Sequence, residues 1–533
     1  MTLAAKARSG AMRSCDPPHA WLRRLGAAAI VCAIGLGAPP VRADGNLQNV
    51  KHIVILMQEN HSFDNYFGVL AYIPGTPYHS ARGRRHRACV DSDNTCVDGL
   101  SCKTKRGTLA CSNRNRSNTH GVVKSFHDPR YCPGLDLTHG WVDSHRQGNF
   151  SHPNDMLRSS RNRGFVRVDA AANPVDQATD HDTMGYYTGV DLPFYYALAE
   201  SFAISDRYFA AVIGPTFPNR AYFLAGTSFG HLSTSETITA GGYKPITGTI
   251  FDRLDAAGVS WTDYYSDLPY SLIFATSAGH TKPVSAFASD AAAGTLPAVA
   301  FVDPSAFPDQ MINGQLFQTD EHPPWDIRAG QYFVSTIIRA LRNSPSWNDS
   351  ILLLTYDEHG GFYDHVAPPP VPQGGAPTPD GIAPGQCADA SNPPASEALG
   401  GGATCNASRT SAAPGLCPTF TPTGPYPADC ATFNQFGFRV PLIAVSPFSK
   451  PHYVSHTIGS HTSLLALLEK RFSLPSLTAR DANASDLEDM FDFDSSPSAG
   501  TAIGTAPLPM QPGDPNCPFA GSSSGAFVEQ LAY

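Results

Sequence analysis

The chain has 533 residues, of which 42% are hydrophobic and 16% charged, a composition typical of a large globular protein and not of a disordered one. Its formal net charge of −9 at pH 7 argues against general binding to nucleic acid, which needs a basic surface. The 46 glycines and 46 prolines predict many long loops.

Residues 1–43 have the pattern of a secretory signal peptide. Two arginines precede the apolar run at residues 25–36, and the small residue Ala43 ends the segment. The apolar run is too short to span a membrane. Removal of residues 1–43, with six basic residues and one acidic residue, would change the formal net charge to −14. We therefore predict export to the periplasm or the exterior, and a single mature domain at residues 44–533.

The first element after this segment is the run His-Ile-Val-Ile-Leu-Met-Gln at residues 52–58, which has the length of a fully buried strand. Glu59 and Asn60 follow it directly. Open α/β sheets bind ligands at the carboxyl ends of their strands, so these two oxygen-bearing side chains are candidate ligands. A carboxylate at this position can equally cap the next helix, and Glu59 alone does not decide between the two.

Ten cysteines remain outside the signal segment, and an even number in an exported chain predicts disulfides. Two clusters lie in predicted insertions, at about 79–135 and at about 367–430, and the odd counts suggest that Cys517 pairs outside its own cluster. Zinc binding is the alternative, but the spacings do not match paired zinc ligands. The clusters are Cys89, Cys96, Cys102, Cys111 and Cys132, and Cys387, Cys405, Cys417 and Cys430.

The sequence Gly-Pro-Thr-Phe-Pro-Asn-Arg at residues 214–220 precedes an apolar stretch, which places Thr216 at the N-terminus of a predicted helix. Such a position attracts anions and suits phosphate. Thr216 could instead be the helix N-cap, with no chemical role. If Thr216 also faces a cation, its hydroxyl could attack phosphorus.

A second buried strand, at residues 351–355, leads to Asp357 and Glu358 before a Gly-Gly turn. Three carboxylates and an amide would then meet at one edge of the sheet, where a bound cation would offset their repulsion. An all-oxygen set favours calcium, magnesium or manganese, because a zinc pair would normally include histidines. Among the histidines, His139 and His322 stand in polar turns and are the better candidates for contacting phosphate oxygens or protonating a leaving group.

Further elements continue the alternation of strands and helices, which predicts one α/β domain with two insertions. The expected strands cover residues 296–302 and 440–445, and the expected helices cover residues 330–341 and 462–472.

Four separated stretches resemble the bacterial phosphoesterase family, which contains phospholipases C without a zinc cluster and related acid phosphatases. The resemblance runs from about residue 50 to 475. It implies an alkaline-phosphatase-like central β-sheet sandwiched by helices, with one principal divalent metal site. The stretches are residues 52–68, 191–220, 321–326 and 356–370.

The resemblance also implies roles for single residues. Thr216 aligns with a nucleophile that becomes transiently phosphorylated, and His139 and His322 align with histidines around the phosphoryl group. His359 and Asp326 match motif positions without a clear role. The implied metal ligands are Glu59, Asn60, Asp357, Glu358 and Thr216.

The expected activity is that of a phosphoric ester hydrolase. The substrate would be a phospholipid, with transient contact to a membrane surface, or a related phosphate ester. The alternatives are an acid phosphomonoesterase acting on soluble phosphate esters and a secreted metal-binding protein without catalysis. No nucleic acid and no obligate protein partner are expected.

Overall fold

A computed structural model describes residues 47–494 except 82–88, 118–120, 152–160, 173–180, 229–233, 235–241, 244, 246, 275–278, 309, 313–314 and 373–432. The predicted signal segment, nearly all of the second insertion, its four cysteines and Cys517 lie outside the described residues.

An eight-stranded mixed sheet forms the centre of the fold. Its strands are β1 (His52–Gln58), β2 (Ala203–Ser205), β3 (Trp261–Tyr265), β4 (Thr281–Pro283), β5 (Val299–Asp303), β6 (Ser350–Tyr356), β7 (Leu442–Val445) and β8 (Val454–Ser455). The order across the sheet is β4-β3-β5-β1-β6-β7-β2-β8. β1 pairs in parallel with β5 and β6, whereas β7 is antiparallel to both of its neighbours. Strands β5, β6 and β7 are buried at every residue, as expected for strands that are covered on both faces.

Ten α-helices lie within the described residues. They are α1 (Phe63–Phe67), α2 (Trp141–Gly148), α3 (Phe165–Ala172), α4 (Pro193–Ser201), α5 (Thr216–Ala225), α6 (Ile250–Ala256), α7 (Ser285–Ala293), α8 (Ile327–Arg342), α9 (His461–Phe472) and α10 (Ala479–Ala482). The predicted α/β class, with a central sheet covered by helices, is confirmed. None of the described helices is long and apolar enough to cross a membrane.

The described part of the first insertion consists of short paired strands, where the sequence predicted a loop. Disulfides join Cys89 to Cys96 and Cys102 to Cys111, and Cys132 is disulfide-bonded as well. The prediction of disulfides in this cluster is therefore confirmed over zinc. The paired strands are Cys102–Lys105 with Thr108–Cys111, Arg114–Ser117 with Gly121–Lys124, His79–Ser80 with Cys96–Val97, and Phe126–His127 with Gly185–Tyr186.

A fully buried cation, Arg439, ties α1 to the loop that follows β6. Its Nη2 lies 3.0 Å from Asp64 Oδ1, and its Nε lies 2.9 Å from Asp364 Oδ1. The Phe63 ring packs against the guanidinium, with 4.6 Å between Cζ and the ring centroid. Arg439 therefore holds in place the segments that follow two neighbouring strands.

We expect Arg439→Met to lower the free energy of unfolding by roughly 3–5 kcal/mol, because it removes the guanidinium shared by two buried carboxylates and leaves them only the His365 imidazole, 2.7 Å from Asp64 Oδ2. Urea denaturation of the purified variant measures the change. Lys51→Met is the matched control, since Lys51 is 69% exposed in its ion pair with Asp349 and exposed pairs contribute about 0–1 kcal/mol. Equal losses in the two variants would contradict a structural role for the buried pair.

Candidate active site

The predicted oxygen ligands lie at two adjoining strand ends. Gln58, the last residue of β1, is paired in parallel with Tyr356, the last residue of β6. Glu59 and Asp357 therefore leave the same edge of the sheet side by side. The backbone N–H of Asn60 donates to Asp357 Oδ1 at 3.2 Å, which joins the two ends. The four side chains are at most 1% exposed: Glu59, Asn60, Asp357 and Glu358.

The Gly-Gly turn after β6 is required by the close approach of these loops. A Cβ on Gly360 would lie 2.1 Å from the backbone oxygen of Asn60, a distance that no side chain tolerates. Asn60 itself has φ +67°, in the left-handed region that asparagine tolerates better than most residues. Backbone strain of this kind is concentrated at functional sites.

Arg220 supplies a fixed positive charge between two of the carboxylates. Its Nη2 lies 3.0 Å from Glu59 Oε1, and its Nε lies 3.3 Å from Asp357 Oδ2. Tyr270 stacks its ring 3.8 Å from the guanidinium Cζ and donates its hydroxyl to Glu59 Oε1 at 2.6 Å. Burial alone would lower the pKa of Arg220, but Tyr270 and the carboxylates outweigh it and raise the pKa, so the guanidinium stays charged.

Thr216 is the first residue of α5 and stands four positions before Arg220, on the same face of the helix. Pro215 is the N-cap, so the alternative that Thr216 caps the helix is wrong. Asn219 holds the preceding turn, because its Nδ2 donates to the carbonyls of Gly214 at 2.9 Å and Pro215 at 3.0 Å. Within the described part of the chain, the Thr216 hydroxyl has no hydrogen-bond partner.

The two predicted histidines lie together beside Glu358. The ring centroids of His139 and His322 are 6.2 Å apart, and His139 Nε2 is 3.4 Å from Glu358 Oε1. Asp136 completes a group with them, with 4.0 Å between its Oδ1 and His322 Nε2. The structure therefore brings both histidines to the end of β6.

The backbone fixes the orientation of both imidazoles. His139 Nδ1 lies 2.5 Å from the carbonyl oxygen of Leu137, and His322 Nδ1 lies 2.5 Å from that of Pro323. A carbonyl oxygen only accepts, so each Nδ1 is the donor. The Nε2 atoms face acidic groups, since that of His139 lies 3.4 Å from Glu358 Oε1 and that of His322 lies 4.0 Å from Asp136 Oδ1.

Crowding of charge alters the acidity of these groups. Burial raises the pKa of Asp357 to about 8; Arg220 opposes the rise, and the carboxylates of Glu59 and Glu358 add to it. Burial would also raise the pKa of Glu358, but His139 and a hydrogen bond from His359 outweigh it, so that this pKa is lowered. The carboxylates at the two strand ends therefore carry more negative charge than the single positive charge of Arg220 neutralises.

The oxygen atoms at the strand ends are of the chemical type that binds a divalent cation. Glu59 Oε2, Asn60 Oδ1 and Glu358 Oε1 are buried and have no hydrogen-bond partner. The other oxygen of each glutamate is already held, since Arg220 and Tyr270 bind Glu59 Oε1 and the Gly360 N–H donates to Glu358 Oε2 at 2.8 Å. Buried oxygens without partners are rare in proteins, and hard oxygen donors are the ligands of calcium and magnesium.

Nitrogen donors border the same region. In the described part of the chain, four groups of His, Cys, Asp or Glu have ligand atoms within 4.8 Å of one another, and Asp136, His139 and His322 form one of them. The carboxylates of Glu59, Asp357 and Glu358 do not form such a group. Arg220 lies between Glu59 and Asp357, which accounts for part of their separation.

The model of the Phosphoesterase family matches residues 50–475, which cover both strand ends, α5 and the histidine turns. The chain belongs to the Phosphoesterase family. The family predicted from the sequence is confirmed, and with it the class of phosphoric ester hydrolases.

Curated relatives in this family come from bacteria and plants. Phospholipase C B of Mycobacterium tuberculosis is 28% identical over 87% of this chain and 81% of its own length. Non-specific phospholipase C5 of Arabidopsis thaliana is 29% identical over 82% of this chain and 73% of its own length. Non-hemolytic phospholipase C of Burkholderia pseudomallei is 29% identical over 86% of this chain and 61% of its own length.

Solved structures give weaker similarities. Murine ectonucleotide pyrophosphatase/phosphodiesterase 5 is 13% identical with a TM-score of 0.29, over 56% of this chain and 94% of that one. A protein of the alkaline phosphatase superfamily from Vibrio parahaemolyticus is 13% identical with a TM-score of 0.30, over 56% of this chain and 64% of that one.

Two further motif positions of this phosphoesterase have supporting roles. His359 orients Glu358, because its Nδ1 lies 3.1 Å from Glu358 Oε2 while its Nε2 bonds to Gln147 at 2.8 Å. Asp326 is the N-cap of α8, and its side chain accepts from the backbone N–H of Arg328. His461, at the start of α9, donates from Nε2 to the backbone oxygen of Asp357 at 2.6 Å.

Arg220 belongs to the motif at residues 214–220, but no role was predicted for it from the sequence. The sequence did contain a signal, because Arg220 is the only charged residue of the largely apolar helix α5. A charge on a buried helix must be paired. Tyr270 and Asp136 carried no comparable signal, because neither stands in a recognisable motif.

Proposed function

We propose that this phosphoesterase is an exported, metal-dependent hydrolase that cleaves phospholipids in the manner of a phospholipase C, through a phospho-Thr216 intermediate. The observation that carries the proposal is the set of buried oxygens without a hydrogen bond on Glu59, Asn60 and Glu358. Arg220, which pairs with Glu59, belongs to the helix that begins at Thr216. The names of the bacterial and plant relatives support the phospholipase C assignment.

One divalent cation would be held by the predicted ligands, and their oxygen atoms favour calcium, magnesium or manganese. When bound, the cation would supply positive charge that lowers the pKa of the Thr216 hydroxyl and compensates the charge of the phosphoryl group. The ligands are Glu59, Asn60, Asp357, Glu358 and Thr216.

The residues of the chain would act in two steps. Thr216 Oγ1 forms a bond to phosphorus and gives its proton to solvent, while the bond from phosphorus to the glycerol oxygen breaks. His322 Nε2 protonates the departing oxygen, and His139 together with the positive end of α5 binds the phosphoryl oxygens. Water then attacks phosphorus and gives a proton to His322 Nε2, the bond to Thr216 breaks, and Thr216 regains a proton from solvent as the phosphorylated headgroup leaves.

The proposal places the protein in the periplasm or outside the cell, with residues 1–43 as the signal peptide. Residues 44–533 would form one catalytic domain with insertions at about 79–135 and 367–430. The partners would be the phospholipid substrate and, transiently, a membrane surface, with no nucleic acid and no obligate protein partner.

We expect the purified protein to release phosphocholine from phosphatidylcholine vesicles, to lose this activity in a chelator, and to regain it when a divalent cation is added back. Headgroup release is measured alongside turnover of p-nitrophenyl phosphate under the same conditions. Turnover of the monoester alone would replace the proposal with an acid phosphomonoesterase. Turnover of neither substrate would favour a metal-binding protein without catalysis.

A further inference from the structure

Glu321 is a buried carboxylate, 1% exposed, that is held by four uncharged donors. The hydroxyls of Tyr66 and Tyr356 donate to Oε2 at 2.6 Å and 2.7 Å. The hydroxyl of Tyr195 and the amide of Gln58, the latter at 3.2 Å, donate to Oε1. Each oxygen thus accepts two hydrogen bonds, an arrangement that suits an ionised carboxylate, which only accepts.

The four donors do not come from one local segment. Gln58 immediately precedes Glu59, and Tyr356 immediately precedes Asp357, so two donors stand next to proposed metal ligands. Glu321 itself immediately precedes His322. The carboxylate therefore connects the ends of β1 and β6 to the turn that carries a proposed catalytic histidine.

Backbone contacts strengthen the same connection. His61 Nε2 donates to the carbonyl oxygen of Glu321 at 3.0 Å, and the backbone N–H of Glu59 donates to the carbonyl oxygen of Asp320 at 2.8 Å. Glu321 has φ +72°, a conformation that a glutamate keeps only when its surroundings enforce it. Gly330 leaves the space for this side chain, since a Cβ there would lie 2.0 Å from Glu321 Cγ.

We propose that Glu321 is a positioning residue, which uses its tyrosine and glutamine donors to set His322 in place over the departing oxygen of the substrate. The inference rests on the proposed function, in which His322 protonates that oxygen. Burial raises the pKa of Glu321 to about 7, and the hydrogen bonds from the tyrosines and Gln58 oppose the rise. Burial of this carboxylate without an Arg or Lys partner among the described residues costs desolvation free energy. Such a cost is unexpected for a residue that only supports the fold.

Leaving-group dependence distinguishes positioning from simple support of the fold. In Glu321→Gln, the new NH2 group faces the hydroxyl and amide groups that donate to Glu321, and two donors do not bond to each other. The side chain therefore shifts, and the His322 turn shifts with it. We expect kcat/KM to fall by about 100-fold for phosphocholine esters of alkyl alcohols, which need a proton as they leave. We expect a change of less than about 5-fold for p-nitrophenyl phosphocholine, whose phenolate departs without one.

Two other variants complete the experiment. Tyr356→Phe keeps the carboxylate and removes one donor, so it should show the same preference on a smaller scale even if Glu321→Gln folds poorly. Tyr78→Phe is the matched control, because Tyr78 is a buried tyrosine that donates to the Ala199 carbonyl and touches neither Glu321 nor the proposed site. It should leave the ratio of the two rates unchanged.

The outcomes separate this inference from the proposed function. Equal losses on both esters in Glu321→Gln and Tyr356→Phe, or no loss on either, would overturn the positioning role while leaving the hydrolase intact. A wild-type protein that hydrolyses neither ester, or a Thr216→Ala protein that keeps wild-type rates, would overturn the proposed function and the role of Glu321 with it.

Discussion

Thr216→Ala is expected to lower kcat by about 10⁴- to 10⁶-fold, in the range seen when a covalent nucleophile is removed from other hydrolases. The reason is that no neighbouring group replaces the hydroxyl at the start of α5, where Pro215 caps the helix and Asn219 fixes the turn. The melting temperature should change little, because the lost hydroxyl has no hydrogen-bond partner in the described part of the protein. Phosphocholine release and thermal unfolding of the same preparation measure both effects.

Thr216→Ser is the matched control, because it keeps a hydroxyl at the same position and should retain measurable turnover. Rapid quenching of the wild-type protein with a headgroup-labelled substrate should trap label on the chain, and Thr216→Ala should trap none. Wild-type rates in Thr216→Ala would rule out the covalent mechanism. Label on another residue would place the nucleophile elsewhere.

Asp357→Asn is expected to weaken binding of the divalent cation by more than about 100-fold, since loss of a residue that merely supports a metal ligand already costs about 10–100-fold. Titration calorimetry and metal analysis of the purified variant report this without any reference to activity. The same substitution should make the protein more stable than the wild type in a chelator at neutral pH. Burial raises the pKa of Asp357 to about 8 in spite of Arg220, so a charged Asp357 disfavours the folded state.

The sign of this effect follows from linkage. The folded-state pKa lies above the ordinary value of 3.8, so the folded protein loses stability as pH rises from about 4 toward 8. Asn has no proton to lose and avoids that penalty. The advantage of Asp357→Asn in a chelator should therefore grow across this interval and level off above pH 8. Ser455→Ala, at a buried side chain remote from Arg220, serves as the control. An unchanged metal affinity in Asp357→Asn would remove Asp357 from the ligand set.

The sequence was most informative where a buried strand ends in polar residues. Strands β1 and β6 are apolar runs followed directly by acidic or amide side chains, and the parallel pairing of Gln58 with Tyr356 puts those side chains at one edge as expected. Expected element bounds also held within a few residues, as for the helix predicted at 330–341, which spans Ile327–Arg342 because Asp326 caps its start. Local pattern was sufficient in these cases because the elements are long and uniformly buried.

Strand β3, Trp261–Tyr265, was not predicted because its sequence has no apolar run. It contains the buried Asp263, whose carboxylate accepts a hydrogen bond from the backbone N–H of Ser271 at 3.1 Å. This bond offsets part of the cost of burying the carboxylate. Tertiary contacts of this kind override local propensity.

Pairings between distant segments could not be derived from the sequence either. Arg220 meets Glu59 across 161 positions, and Tyr66 meets Glu321 across 255. Neither pairing leaves a periodic signal, because each depends on which strands become neighbours in the sheet. The proposed ligands could thus be chosen from two strand ends, whereas the groups that contact them required the structure.

The contact between His461 and Asp357 determines how much of the chain must be synthesised before the candidate site can assemble. The first residue of α9 holds the backbone at the end of β6, and Arg439 reaches back 375 positions to Asp64 beside the end of β1. Contacts of such large sequence separation form only after both segments have been synthesised. A nascent chain that has not yet delivered α9 would therefore lack an assembled site. We therefore expect a chain that stops before α9 to hydrolyse no phosphate ester.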